Sequence, residues 1–193
     1  MNEAEIIDKL QQGNETAFRV LVENYRNMVV NTCFGLLHNT EDAEDVAQDV
    51  FIEVFRSVDK FRADSKISTW LYRIAVNRSL NFIRDNKKRK WFQPFDDVVK
   101  SKKEKLNQLP SAHAENPESE LENSQRAQML HDAIDSLPEN QRVAFTLNKY
   151  EDMAYKDISE VMNLSVSSVE SLIHRAKKNL QKKLYLCYKK KCI

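Results

Sequence analysis

Residues 164–180 read LSVSSVESLIHRAKKNL, a stretch that begins with small hydroxylated side chains and ends in cations. Four apolar residues recur at helical spacing and share one face of a helical wheel: Val169, Ile173, Ala176 and Leu180. The opposite side carries polar residues: Ser167, Glu170, Ser171, His174 and Lys178, with Arg175 at its edge. The pattern predicts an amphipathic helix with a polar N-terminal half.

A second, shorter helical pattern precedes this stretch. Residues 155–162 predict a helix, and residues 163–165 predict the turn between the two. A short helix, a tight turn and a longer helix describe a helix-turn-helix, whose second helix meets base edges in the major groove. The cations would add sequence-independent attraction to phosphates: Arg175, Lys177, Lys178, Lys182 and Lys183. The alternative is an ordinary helix pair with an exposed polar face.

Helical periodicity extends outward from this stretch through most of the chain. The 193 residues are 41% apolar and include only 2 glycines and 4 prolines, which argues against a β-rich fold. Apolar residues recur every three or four positions, and two-residue alternation is almost absent. We therefore predict an all-α fold.

The helices fall into two groups. Their predicted ranges are 4–12, 15–37, 40–58 and from Ser68 or Thr69 to 90, and then 125–137, 142–150, 155–162 and the opening stretch. Thr40 is the predicted N-cap of the third helix, and Ser68 or Thr69 that of the fourth.

Residues 91–118 separate the two groups. They hold three of the four prolines and lack sustained periodicity, so we predict a flexible linker. The predicted organisation is an N-terminal domain over 1–90, a C-terminal domain over 119–185 and a basic tail over 186–193.

The net charge of +1 conceals four blocks of alternating sign. Residues 1–60 hold 5 Lys/Arg against 12 Asp/Glu, and residues 61–105 hold 13 against 5. Residues 106–160 hold 4 against 11, and residues 161–193 hold 8 against 1. Two basic blocks indicate two surfaces for a polyanion, although charge runs are usually solvated faces.

Several classes of protein are not expected. No apolar run is long enough for a membrane span, and the acidic N-terminus is unlike a secretory signal. The histidines lack metal-ligand spacing and no Gly-rich phosphate loop occurs, so we predict no enzyme, cofactor or metal site. The cysteines predict buried or free thiols in a reducing cytoplasm, with a metal or redox role for Cys187 and Cys192 as the alternative.

The motifs LPENQR, YEDMAYKDIS and SVSSVESLIHRAKK resemble the C-terminal DNA-reading domain of bacterial sigma factors, extracytoplasmic-function (ECF) group. In that family this domain reads the −35 promoter element. The resemblance implies that Glu170, Ser171 and His174 face bases. It implies phosphate contacts for Arg142, Ser167, Ser168, Arg175 and Lys178. Glu170 stands where many relatives carry arginine, and glutamate accepts a hydrogen bond from cytosine rather than donating to guanine.

Residues 41–61, EDAEDVAQDVFIEVFRSVDKF, form two helix faces. One is apolar: Ala43, Val46, Ala47, Val50, Phe51, Val54 and Val58. The other is mostly acidic around an isoleucine: Asp45, Gln48, Asp49, Ile52, Glu53 and Arg56. The segment resembles the sigma element that docks on the clamp coiled coil of the largest subunit of RNA polymerase. A solvated acidic face with one exposed Ile is the alternative.

Residues 61–90 resemble the family's reader and melter of the −10 element. Leu71, Ile74, Ala75 and Phe82 are predicted to face the core. Polar and aromatic residues along another face suit single-stranded DNA, and the resemblance implies −10 contacts for Phe61, Arg62, Trp70, Arg73, Asn77, Asn81, Arg84 and Lys88. It implies a base pocket between Phe61 and Asn77, closed by the loop over 62–68. Half-buried packing is the alternative for Trp70.

Together the motifs imply a dissociable subunit for transcription initiation. The first implied partner is core RNA polymerase, which would be contacted at its clamp and, by the C-terminal domain, at its flap. The other implied partners are promoter DNA and a membrane-bound anti-sigma protein. Two alternatives are a stand-alone helix-turn-helix regulator and a helical scaffold protein without a DNA role. The regulator leaves the acidic face around Ile52 unexplained, and the scaffold predicts partner binding that salt does not weaken.

Overall fold

The structure is a computed structural model, and it describes residues 3–61, 65–92 and 117–191. Those residues form eight α-helices and one 3-10 helix, with no strand among them, so the all-α prediction is confirmed. The helices are α1 Glu3–Gln11, α2 Glu15–Leu37, α3 Thr40–Ser57, α4 Ile67–Phe92, α5 Pro117–Asp135, α6 Glu139–Tyr150, α7 Tyr155–Met162 and α8 Val166–Lys191, with the 3-10 helix Val58–Lys60 after α3.

The first module consists of α1 to α4 around one apolar core. The predicted inner face of residues 41–61 is confirmed, because its six residues in α3 and Val58 in the following 3-10 helix are each at most 8% exposed. Leu71 and Ala75 of α4 are fully buried in the same core, and Ile74 and Phe82 pack against it. Burial of these faces leaves the opposite side of α3 facing solvent.

The second module consists of α5 to α8. The predicted inner face of α8 is confirmed, since Val169, Ile173, Ala176 and Leu180 are at most 5% exposed. Asn163 ends α7 in the left-handed conformation with φ of 53°, which asparagine tolerates better than most residues. The Leu164 N–H then donates to the Ser159 carbonyl at 3.0 Å, and this turn sets α8 against α7.

The two modules pack against each other through α2 with α6 and α4 with α7. One buried cluster crosses the boundary: Leu36 and Val76 from the first module with Val143, Ala144, Leu147, Ile158, Val161, Val169 and Ile173 from the second. The sequence predicts the two modules but not this shared core. The predicted linker lies almost wholly outside the described residues.

Two predicted N-caps are wrong, the first by one residue and the second by two or three. Asn39, not Thr40, caps α3, and its Oδ1 accepts a hydrogen bond from the Asp42 N–H at 2.9 Å. The fourth helix begins at Ile67, so Ser68 and Thr69 lie within its first turn. Thr69 is buried at 4% exposure, which explains why a capping residue type occurs inside the helix.

Replacing Asn39 by Ala is expected to lower the free energy of unfolding by about 1 kcal/mol, because the Asp42 N–H loses its acceptor. Thr40→Ala is the matched control and should change it by less than ~0.5 kcal/mol. Urea denaturation followed by circular dichroism measures both variants. A larger loss for Thr40→Ala than for Asn39→Ala would contradict the assignment of the cap.

Candidate nucleic-acid interface

The N-terminal half of α8 presents an exposed polar surface. Ser165 precedes the helix, and its Oγ accepts a hydrogen bond from the Ser168 N–H at 3.2 Å. The same Oγ lies 3.1 Å from Ser167 Oγ and 2.8 Å from Ser168 Oγ. Seven of the eight predicted −35 residues are exposed on this helix: Ser167, Ser168, Glu170, Ser171, His174, Arg175 and Lys178. The helix is therefore free to approach a DNA groove.

A shallow depression on this surface contains two residues that the sequence did not single out for base contact. Tyr155, at the start of α7, and Lys177 line it together with Glu170, Ser171, Ile173, His174 and Arg175. An aromatic residue within the motif YEDMAYKDIS was the available signal for Tyr155, but only the packing of α7 on α8 brings it beside Glu170.

Arg142 does not lie with the other seven residues. Its side chain is only 4% exposed, and its Nη1 donates to Asp135 Oδ1 at 3.2 Å. Burial opposes ionisation of Asp135, but His38 and Arg142 outweigh it and hold the pKa of that carboxyl below its ordinary value. Since Asp135 belongs to the same module, this arrangement commits Arg142 to an internal ion pair rather than to a phosphate.

Two histidines meet where the modules join. The His38 ring from the end of α2 stacks on the His131 ring of α5, with centroids 4.1 Å apart and planes 5° apart. His38 Nδ1 lies 3.3 Å from Asp135 Oδ1, although neither ring nitrogen of His38 has an aligned hydrogen bond. Burial, then the neighbouring His38, lowers the pKa of His131, while Asp135 and Asp132 oppose that shift.

The predicted −10 residues of α4 divide into two groups. Phe61 and Trp70 pack on each other with ring centroids 4.9 Å apart, Phe61 is 7% exposed, and Trp70 packs against the core. Asn77 is exposed two turns further along, about 10 Å from Trp70 along the helix axis. Packing therefore holds the aromatic pair away from Asn77, and Arg62 lies outside the described residues.

Two cationic members of this face, Arg73 and Arg84, contact the second module. Arg73 donates to the Glu160 carbonyl from Nη2 at 2.7 Å and from Nε at 3.2 Å. Arg84 forms a two-point contact with Glu139, at 3.1 Å from Nε and 2.6 Å from Nη2. Asn81 Oδ1 lies 3.4 Å from Arg84 Nη1, and Lys88 is highly exposed near Asp85.

The outer face of α3 is exposed as predicted for Asp45, Gln48, Asp49, Ile52 and Arg56. Glu53 is partly exposed and accepts from Arg78 Nη2 at 2.6 Å. Ile52 is 46% exposed, and Phe55, one turn away, is 52% exposed. The Phe55 ring packs edge-on against Phe18 with centroids 5.3 Å apart. Sequence reasoning missed Phe55 because it falls between the two predicted faces.

Within the described ranges, no helix combines the length and apolar character needed to cross a membrane. Among the same residues, His, Cys, Asp and Glu form no group arranged to hold a metal ion. Cys33 is buried, and burial raises its pKa to about 11. The side chain of Cys187 and all of Cys192 lie outside the described residues, so the alternative metal or redox role stays a prediction.

The fold and its surfaces define a class: a two-module helical protein with an exposed helix-turn-helix and an acidic face centred on apolar residues. Two family models match it, Sigma-70 region 2 over residues 21–89 and Sigma-70 region 4 over residues 127–180. The first match covers α3 and most of α4, and the second covers the helix-turn-helix.

Two curated proteins are similar to the chain along most of their length. The chain is 35% identical to the ECF RNA polymerase sigma-E factor of Haemophilus influenzae, with 93% of each chain covered. It is 34% identical to the RNA polymerase sigma-H factor of Pseudomonas aeruginosa, covering 93% of this chain and 92% of that protein.

Two solved structures share the fold. CnrH in complex with the cytosolic domain of CnrY has a TM-score of 0.65 at 21% identity and covers 95% of this chain and 97% of that one. The sigma factor RpoE of Bartonella quintana in complex with the anti-sigma factor NepR has a TM-score of 0.62 at 18% identity and covers 87% and 96%. The chain belongs to the sigma-70 family of RNA polymerase sigma factors, in its ECF group.

Acidification is expected to weaken the contact around His131. The pKa of His131 is lowered in the folded protein, so folding favours the neutral ring. The stability that this neutral ring contributes is fully present above the unfolded-state pKa of 6.5. It is lost as the pH falls through the lower folded-state pKa. The free energy of unfolding, measured in urea between about pH 7 and about pH 5, should fall more steeply for the native chain than for His131→Gln. Parallel profiles for the two proteins would contradict this effect of His131.

Proposed function

We propose that this ECF sigma factor directs promoter-specific initiation by RNA polymerase through three surfaces of its own chain. The family match gives the general activity, promoter-directed transcription initiation. Sigma factors are a non-enzymatic class, and the proposed role of this chain includes no enzymatic step. The roles of individual residues follow from exposure, charge and geometry, and the exposed polar surface of α8 is the observation that carries the proposal.

The proposed −35 surface is the N-terminal half of α8. Glu170, Ser171 and His174 are exposed on one side of this helix, which suits base-edge contacts in the major groove. Ser167, Ser168, Arg175 and Lys178 flank them and would hold phosphates. Arg142, in contrast, would position α6 through Asp135. A glutamate among the base-facing residues favours a cytosine amino group at the contacted pair.

Glu170→Arg is expected to change base preference at one position of the −35 element. An arginine donates to guanine where the glutamate accepts from cytosine, so preference should shift by about tenfold or more. Transcription from a promoter pool randomised across the −35 element, sequenced after initiation, measures the shift.

Lys178→Ala is the matched control, because a phosphate contact carries no sequence information. It should weaken binding to every −35 sequence to a similar extent and reduce the salt slope of binding by about one. An unchanged base preference in Glu170→Arg would mean that Glu170 does not meet a base.

The proposed polymerase-docking surface is the outer face of α3. Ile52 and Phe55 form an exposed apolar centre, and carboxylates at Asp45, Asp49 and Glu53 surround it. An apolar centre with a charged rim is the usual composition of a protein–protein contact. The clamp coiled coil of the largest polymerase subunit is the partner that the family resemblance implies.

The test of this function is transcription by core RNA polymerase with and without the full chain. Promoter-dependent transcript is expected only with the chain, and Ile52→Asp should weaken binding to core by about tenfold by burying a charge at the contact. Val166→Asp is the matched control, since Val166 is also 46% exposed but lies on α8. If Val166→Asp weakened core binding as much as Ile52→Asp, the assigned surface would be wrong.

The proposed −10 surface is α4 with the loop before it. Asn77 would contact an unstacked base, while Arg73, Asn81, Arg84 and Lys88 would follow the strand backbone. Because Phe61 packs on Trp70 and is 7% exposed, this pair would support the start of α4 rather than contact the same base as Asn77. The proposed organisation keeps the N-terminal module at 1–90, the linker at 91–118 and the C-terminal module at 119–185.

An anti-sigma protein is a further proposed partner. The solved structures of CnrH and RpoE hold CnrY and the anti-sigma factor NepR, and by analogy this chain would be held by a protein of that kind, anchored in the membrane. As a subunit of RNA polymerase, the chain would work in the bacterial cytoplasm, where that enzyme transcribes. A stand-alone regulator or scaffold leaves the docking surface of α3 without a role.

A further inference from the structure

A glutamine at the end of α1 holds the backbone where the chain turns from α3 toward α4. Gln11 Nε2 donates to the Phe61 carbonyl at 3.1 Å and to the Val58 carbonyl at 3.3 Å. The two acceptors lie 50 and 47 residues further along the chain. The contact therefore belongs to the tertiary structure, and helical periodicity does not predict it.

The orientation of the Gln11 amide is determined by its two partners. A carbonyl oxygen only accepts hydrogen bonds, and the amide nitrogen of glutamine carries two hydrogens to donate. Turning the amide over would place Oε1 against two oxygens. The Val58 carbonyl also accepts from the Phe61 N–H at 3.0 Å, so Gln11 joins both ends of the 3-10 helix that follows α3.

The end of α1 is itself fixed by a Schellman motif. Gly13 has a φ of 74°, which glycine adopts without steric cost, and its N–H donates to the Leu10 carbonyl at 2.9 Å. The Asn14 N–H donates to the Lys9 carbonyl at 2.9 Å, which completes the motif. Gln11 therefore extends from a backbone that has little freedom of its own.

Phe61 is the residue at which the loop before α4 begins. Its ring is held by packing on Trp70. At the start of α4, the Trp70 N–H donates to the Lys66 carbonyl at 3.2 Å, and Ile67 is 2% exposed. The Phe61 carbonyl, in contrast, is held by Gln11. Because a peptide unit is planar, holding this oxygen sets the direction in which the chain leaves Phe61.

Apolar packing already holds α1 in place without this amide. Ile6, Leu10 and Val58 are at most 5% exposed and belong to the same core cluster. Gln11 is an exposed residue, so its side chain adds little apolar burial to that contact. The specific effect of Gln11 is therefore on the two carbonyls that it binds.

We propose that Gln11 is a positioning residue for recognition of the −10 strand. Its amide holds the backbone at Phe61 in the direction that the −10 surface requires, and Gln11 itself contacts no base. This inference rests on the proposed role of α4 and the loop before it in reading the −10 strand.

The test uses holoenzyme assembled from core RNA polymerase and the full chain, with a promoter selected by the native chain and left unpaired across its −10 region. Each base of the −10 strand is replaced in turn by an abasic site, and the ratio of the two affinities measures base discrimination. Gln11→Met keeps the length of the side chain but removes both donors. The largest discrimination should fall by about fivefold, because without the hydrogen bonds a smaller fraction of molecules holds the competent arrangement.

Gln12→Met is the matched control, because it changes the neighbouring glutamine. Gln12 Nε2 donates back to Asp8 Oδ2 of α1 at 3.0 Å, so this variant should discriminate as the native chain does. Gln11→Lys places a donor of similar reach beside the two carbonyls and should retain most of the discrimination. Its added charge attracts phosphates whatever the base, so that effect cancels in the ratio.

The outcomes separate a positioning role from a purely structural one. If Gln11→Met discriminates as the native chain does, the inference is wrong. If it weakens −35 and −10 binding alike, the effect is on stability and the inference is wrong. If Gln11→Met loses its helical circular dichroism signal, Gln11→Lys decides, and a folded Gln11→Lys without base discrimination would overturn the inference.

Asn77→Ala distinguishes failure of this inference from failure of the proposed function. If Asn77→Ala lowers base discrimination and Gln11→Met does not, the inference is wrong and the role of α4 stands. If neither variant lowers it, the proposed role of α4 itself fails.

Discussion

The close contact between α2 and α6 at Gly35 is the constraint on which the arrangement of the two modules depends. A side chain larger than hydrogen at this position would meet Thr146 Cγ2 at 2.7 Å. With hydrogen there, Leu36 enters the apolar cluster of the second module, and Val76 of α4 joins it. The ion pair between Arg84 and Glu139 then lies at the edge of that cluster, where solvent weakens its contribution.

Two arginines show how the same residue type serves different ends. Arg142 is buried and paired with Asp135 inside its own module, so its removal would leave a carboxylate with fewer partners away from water. Arg84 is half-exposed and paired across the module boundary, so water or another anion can replace its partner at little cost.

Much of this structure was predictable from periodicity. The inner faces of α3 and α8 are buried residue by residue as the helical wheel indicates, and the bounds of α2 and α7 agree with the pattern. Helix starts were less predictable. Asn39 rather than Thr40 caps α3. Both residue types can cap a helix, and the cap is the one whose own backbone is extended just before the first helical turn. Most of the predicted −35 residues are exposed together, because they share one helix.

The sequence by itself determined the helical class, the two modules, the apolar face of each helix and the family. The tertiary structure alone decided that Arg142 is internal, that Phe61 packs on Trp70 away from Asn77, and that His38 stacks on His131. It also decided that the second module covers one side of α4. The physical reason is that periodicity reports which side of a helix is apolar, whereas the partner that covers a side depends on contacts between residues far apart in the chain.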